Sequence, residues 1–261
     1  MGLNKISSVM TSDVYSESET DSKIQTSNFG FKNYIINGNK SINQRGLTAT
    51  DNSYNQDRWY KAGNNWYQGI ELLSLTSGKT YTLSWTGAAT AGYYVGNATS
   101  ATINAQTFTS IANGGSFTLT ISAGQNLWIK FASDATGSTF NNVQLEQGSV
   151  ATPFENRPFG LEEMLCQRYY EKGSVLAEFM SPGTTQYFSR IVEFKVKKRV
   201  YPSVVISFAG VNGKVRVSDA PAFSTNILVS ADLHSLSVTE TGVSGVSRNF
   251  VDFDYIALAD L

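Results

Sequence analysis

Sugar recognition asks for few residue types: flat aromatic faces that lie against the C–H surface of a pyranose, and amide, carboxylate or guanidinium groups that bond its hydroxyls. Both cluster in NNWYQ, where Asn64, Asn65, Trp66, Tyr67 and Gln68 are consecutive, and a second aromatic pair, Tyr93 and Tyr94, follows Gly92. Neighbouring residues of a strand point to opposite faces, so one member of each pair is expected to face outward. Trp66 and Tyr94 are the expected ligand contacts, with Asn64, Asn65, Tyr67 and Tyr93 beside them, whereas Trp59 and Trp85 are expected in the core. In the C-terminal half Tyr187, Asn212, Phe223 and Arg248 stand near turn signals, where binding residues tend to be displayed.

Bond-breaking chemistry finds less support. Glycoside hydrolysis generally uses two carboxyl groups about 5 to 9.5 Å apart across the scissile bond. Asp51, Asp57, Asp134, Glu146 and Glu155 are available, but no spacing singles out a pair. Each reads more readily as a turn carboxylate or as the partner of a local arginine, as with Asp57 beside Arg58. His234 is the only histidine, so a Ser-His-Asp relay would depend on it, and LVSADLHSLSVTE places it in a strand or turn. Cys166 is the only cysteine and is expected to be a small buried hydrophobe with no base beside it. One histidine and one cysteine exclude the usual zinc site within one chain, leaving only three copies of His234 around a three-fold axis. No coil repeat of the long β-helix kind is visible. The chain is therefore expected not to be an enzyme.

The elements that must position these residues follow from composition and period. The chain has 261 residues, enough for one large or two ordinary domains. Its 20 basic and 21 acidic side chains leave a net charge of -1, which offers no cationic surface for nucleic acid. Only 16% of residues are charged, against about 25% in an average domain, while glycine and aromatics are plentiful, as in a turn-rich all-β protein. A lone cysteine makes no intrachain disulfide, so packing and hydrogen bonds must hold the fold. No signal-peptide pattern and no run of about 18 apolar residues is present, so a soluble chain without membrane insertion is expected.

Residues 1–28 show no sustained period and are rich in Ser, Thr, Asp and Glu, so this extended segment is expected to dock on a partner or stay disordered. From residue 29 to 157 short strand-like runs alternate with Gly, Asn, Asp and Ser clusters, the signature of a β-sandwich. KTYTLSWTG turns Tyr81, Leu83 and Trp85 to one face, and GSFTLTISAG does the same with Phe117, Leu119 and Ile121. NLWIKFASD sends Leu127, Ile129 and Phe131 inward and leaves Trp128 and Lys130 on the wet face. Residues 158–173 are expected to form a linker with a short helix from Leu161 to Tyr170, ended by Gly173, whose Leu161, Met164, Leu165 and Tyr169 stripe meets another subunit or its own sandwich. About seven further strands in 174–261 predict a second β-sandwich.

Three blocks resemble a known family. YIINGNKSINQRG (Tyr34 to Gly46), DRW (Asp57 to Trp59) and VQLEQGSVATPFENRPFGLEEMLCQRYYEK (Val143 to Lys172) are similar to recurring blocks of phage and prophage tail-fibre proteins. The resemblance implies a jelly-roll domain like that of carbohydrate-binding modules, ending at the third block. It further implies a homotrimer on the virion, made in the host cytoplasm, docked to other tail proteins through residues 1–28 and binding a host-surface glycan or receptor. Such jelly rolls often hold a structural calcium ion, for which Asp51, Asn141, Asn142 and Glu146 are the oxygen-bearing candidates. No other cofactor is expected. A purely architectural collar, adaptor or decoration protein is the alternative, and a polysaccharide depolymerase a more distant one.

Overall fold

A computed structural model describes residues 31–46, 50–71, 74–179, 186–208, 211–212, 215–217, 223–224, 227–243 and 249–260. The segment 1–28 and Arg248 lie outside these described residues. The chain divides into Met1–Lys32 and Asn33–Leu261, and the second unit is an all-β fold of antiparallel sheets with one short α-helix among the described residues.

The first sandwich is built from β1 (Ser53–Gln56), β2 (Trp59–Ala62), β3 (Asn65–Ile70), β4 (Thr80–Thr86), β5 (Thr90–Gly96), β6 (Thr109–Ile111), β7 (Gly115–Thr118), β8 (Asn126–Ala132) and β9 (Asn141–Gln147). One sheet has the order β1-β2-β3-β8-β5-β6 and the other β7-β4-β9. The period of two decides what enters the space between them. Tyr81, Leu83 and Trp85 from β4 meet Leu127, Ile129 and Phe131 from β8, together with Trp59, Trp66 and Phe140. Phe131 stacks on Phe140 with centroids 4.5 Å apart, and Trp59 and Trp85 approach Phe131 edge-on, the arrangement that ring quadrupoles favour.

The outer face of the larger sheet departs from expectation. Trp128, expected on the wet face, is fully buried. The chain leaving β5 folds back and carries Ala98, Ile103 and Phe108 over Tyr54, Tyr60, Tyr67 and Trp128, which makes a second core layer. The Trp128 indole Nε1 donates to the Ala98 carbonyl at 3.1 Å, and the Tyr67 hydroxyl lies 3.0 Å from Asn104 Oδ1. Alternation assigns a face; it does not say whether a loop will cover that face.

The helix α1 spans Phe159–Gln167, starting directly after Pro158 and ending before the expected limit. Gly173 does not stop it but lies within the next strand, β10 (Tyr170–Phe179). The buried positions of α1 are Glu162, Cys166 and Gln167 rather than the expected apolar stripe, and Met164 is exposed. Polar anchoring wins here, because the Glu162 carboxylate accepts from the Asn37 amide and from Arg157 and so turns its own side of the helix inward.

Beyond β10 the chain forms β11 (Gln186–Glu193), β12 (Ser203–Phe208), β13 (Val211–Asn212), β14 (Val215–Val217), β15 (Phe223–Ser224), β16 (Ile227–Ala231), β17 (Ser235–Val243) and β18 (Asn249–Leu258). Strand β18 is the spine of one sheet, pairing with β10 along one edge and with β12 and β14 in succession along the other. The order β11-β17-β16 forms the facing sheet. Val175, Ile206, Phe253 and Tyr255 pack against Leu236, Val238 and Phe194 between them, so the C-terminal half is a second sandwich. No helix among the described residues is long and apolar enough to cross a membrane.

Candidate functional site

The three family-like blocks meet in space through buried side chains, among them Asn37, Asp57, Arg58, Trp59, Glu162 and Tyr169. Asn37, in the first block, donates through its carboxamide to the Asp57 carbonyl at 2.9 Å and accepts from the Trp59 indole at 2.9 Å through its own carbonyl, which ties it to DRW. Arg157, in the third block, donates to the Ile35 carbonyl at 3.0 Å and to Glu162 at 3.0 Å. The Arg58 guanidinium lies 3.5 Å from the Tyr169 ring, and Arg45 sits 4.1 Å from the Tyr170 ring while pairing with Asp57 and Asp260. Tyr169 in turn donates to Glu71 at 2.6 Å. Burial raises both Asp57 and Asp260 above the usual carboxylate range. Their buried contacts join the two sandwiches.

The expected aromatic contacts are mostly used for packing. Trp66 is 1% exposed between the sheets, its indole donating to the Asp134 carbonyl at 3.2 Å, and Tyr67 is 1% exposed under the returning loop. Both are therefore withdrawn from solvent, because each face of β3 is covered. Tyr93 is half-buried and stacks on Phe117 at 4.0 Å, and Tyr94 is half-buried beside Phe108 at 5.8 Å. Asn64 stays exposed at the β2–β3 turn, and Asn65 is half-exposed opposite Ala132. Tyr187, Asn212 and Phe223 lie on β11, β13 and β15, and only their backbone is described. They belong to the second sandwich, whereas Asn64 and Asn65 belong to the first.

The acids are engaged locally. Asp51 pairs with Lys61, and Asp57 accepts from the Gln44 amide at 2.7 Å and pairs with Arg45 rather than with its neighbour Arg58. Asp134 accepts from the Ser138 hydroxyl and from the Ser138 and Thr136 amides at 2.8 and 3.1 Å, and these bonds, the Ser138 hydroxyl foremost, hold its carboxyl well below the usual range. Glu146 accepts from the Thr152 amide and hydroxyl at 2.8 and 2.6 Å, and Glu155 from the Asn33 amide at 3.0 Å. As calcium candidates, Asp51 precedes β1 of one sheet, whereas Asn141, Asn142 and Glu146 lie on β9 of the other. Among the described residues no group of three or more His, Cys, Asp or Glu side chains converges as a metal site. His234 is exposed in the turn before β17, and Cys166 is fully buried, its thiol pushed up by desolvation.

An open groove does form on the outer face of the larger sheet, beyond the edge of the returning loop. It has a volume of about 320 Å³. Thr90 and Gly92 of β5, Lys130 and Ala132 of β8 and Ser110 of β6 line it, with the Phe108 ring as one wall. Register brings these together: Gly92 lies opposite both Lys130 and Ser110, and Thr90 opposite Ala132. The fit at Gly92 is close: a Cβ there would lie 3.0 Å from the Thr109 carbonyl oxygen and 3.1 Å from the Phe108 Cβ. The Lys130 ammonium rides over the Phe108 ring, 4.9 Å from its centroid.

Comparison with known proteins adds little to this geometry. No protein-family model and no curated protein matches the chain. Two solved structures are similar, recombinant and wild-type discoidin II of Dictyostelium discoideum. Each is 11% identical at a TM-score of 0.23, with 88% of this chain covered and 93% and 92% of theirs. A likeness of that size assigns neither a fold nor a ligand.

Chemically, the groove offers one aromatic wall, two exposed hydroxyls, one cation and a floor of small residues, with no carboxylate in its lining, an inventory suited to binding. Of its lining, sequence reading placed only Lys130 outward and passed over Phe108, Ser110, Thr90 and Ala132. One signal was there to be read: residues 80–129 contain no charged side chain, and Lys130 ends that run.

Proposed function

We propose that this chain is a non-enzymatic component of a bacteriophage tail appendage that binds host-surface glycan through its first sandwich. The observation that carries the binding role is the groove formed by Thr90, Gly92, Phe108, Ser110, Lys130 and Ala132, which is open, preformed and lined by placed polar groups around an aromatic wall. Its volume sits at the lower end of the range of about 300 to 1,000 Å³ usual for ligand sites, suited to a short stretch of saccharide. The tail assignment is supported by the three family-like blocks, with residues 1–28 as the segment that docks to other virion proteins. In a homotrimer, three weak sites would gain avidity through effective concentration.

A glycan array probed with the full chain and with Ala132→Trp tests this reading. Ala132 is exposed at the end of β8, so a bulky side chain fills the groove without entering the core. Binding to bacterial surface glycans that disappears in the variant is expected, and no new reducing ends should appear on prolonged incubation. Glycan binding that Ala132→Trp leaves intact would remove the groove from the account, and turnover of any glycan would remove the non-enzymatic reading.

A purely architectural role has one observation in its favour. Leu176, Ile191, Tyr201 and Leu228 on the second sandwich are each exposed by 65% or more, apolar area that a protein partner would remove from water. Mass measurement in solution separates the cases: a trimer assigns these residues to self-association, and a monomer with no glycan binding assigns the chain to contacts with other virion proteins.

A further inference from the structure

We infer that the groove prefers an anion-bearing saccharide, one whose ring carries a carboxylate or a phosphate ester, over a neutral one. This rests on the reading of the groove as a glycan site and names the class of sugar it takes.

The argument starts from an isolated charge. Lys130 is half-buried on the outer face of β8, and its ammonium meets the Phe108 ring, a partner that attracts a cation without neutralising it. No carboxylate among the described residues pairs with it. The strands beside it cannot offset its charge, because residues 80–129, which build β4 through most of β8, carry no charged side chain at all. In the same sandwich Arg45, Lys61 and Arg157 each pair with a carboxylate, and Lys40 is held by the Gly137 and Phe140 carbonyls. Arg58, like Lys130, meets a ring, but it is fully buried against Tyr169 and donates to the Gly69 carbonyl, out of reach of a ligand. Lys130 is thus a cation without a paired carboxylate in an open groove whose lining is otherwise uncharged, where an incoming anion meets an attractive partner and no repelling acid.

The groove around it fits a sugar better than a free ion. Ser110 and Thr90 present exposed hydroxyls across the floor, and the small Gly92 and Ala132 leave the sheet flat enough for a ring to lie on. A single ammonium is a point charge with three rotatable donors, so it accepts a carboxylate or a phosphate without the fork geometry that an arginine would demand.

The test is an NMR titration of the full chain with three oligosaccharides of equal length: one of glucuronate units, one of glucose 6-phosphate esters and one of plain glucose. The expected result is tighter binding of one or both acidic ligands than of the neutral one, weakening with added salt. Lys130→Met should lower that acidic affinity at least about ten-fold, the lower end for a hydrogen bond to a charged group, and Lys130→Arg should keep most of it. The two acidic arms tell a carboxylate-bearing sugar from a phosphorylated one. Equal binding of all three ligands, abolished by Ala132→Trp, would overturn the anion preference while leaving the glycan site standing. A preference that survives Lys130→Met would overturn it as well. Binding of no oligosaccharide, or binding that Ala132→Trp leaves untouched, would overturn the glycan site and this inference with it.

Discussion

Replacing Arg157 by Met tests whether the family-like blocks are a structural clasp. The Arg157 side chain is 4% exposed and Glu162, its partner at 3.0 Å, is 8% exposed, so the pair is almost dry. The same guanidinium donates to the Ile35 and Asn33 carbonyls. Methionine keeps the length and apolar stem but leaves the buried Glu162 carboxylate without its cation, only the Asn37 amide still donating to it, and removes a donor from two carbonyls. Breaking a buried pair from one side costs about 3 to 5 kcal/mol. Stranded acceptors cost about 1 to 3 kcal/mol each, but they share one site and do not add, so about 3 to 5 kcal/mol is the figure for the whole change. That is about a fifth or more of a stability of about 5 to 15 kcal/mol. Urea titration followed by tryptophan emission is the natural assay, because Trp59, Trp66, Trp85 and Trp128 are all buried in the first sandwich. Arg157→Lys should recover little, since an ammonium cannot serve the carboxylate and both carbonyls in the same planar geometry. The double change Arg157→Met with Glu162→Met should cost less than the sum of the singles by about 0.5 to 3 kcal/mol. A single-variant cost below about 1 kcal/mol, or strict additivity, would refute the clasp.

Three further outcomes follow from the same geometry. Trp128→Ala should cost about 3 to 5 kcal/mol in the same urea assay, as a core ring does, and a loss under about 0.5 kcal/mol would mean that the returning loop does not roof it. Cys166 should not react with a disulfide reagent at neutral pH until the chain is unfolded in urea, because desolvation, and after it the charges of Asp57 and Glu162, disfavour its thiolate; prompt native-state labelling would contradict that burial. Alkali should destabilise the first sandwich. Burial, with a smaller contribution from Tyr60, pushes the Tyr67 hydroxyl from 10.0 up to about 12, so its stabilising contribution is complete below pH 10 and is lost as pH rises through about 12. Urea midpoints that stay constant from pH 9 to 12 would count against that burial.

Side-chain period, turn residues and composition sufficed for the all-β class, for the inward faces of β4 and β8 and for the burial of Cys166, because these depend on near neighbours along the chain. What lay beyond them came from residues far apart in sequence. Whether Tyr67 and Trp128 were wet or dry depended on a loop from residue 97 to 108 folding back over its own sheet, and no periodicity encodes where a loop comes to rest. The face of α1 was misjudged for a like reason: an apolar stripe is a local tendency, and Glu162 overrode it by bonding a backbone amide 125 positions away. The blocks most legible as motifs became the clasp between the sandwiches. The groove, drawn from β5, β6 and β8, exists only through cross-strand register, which brings Gly92, Ser110 and Lys130 side by side although 38 positions separate the first from the last.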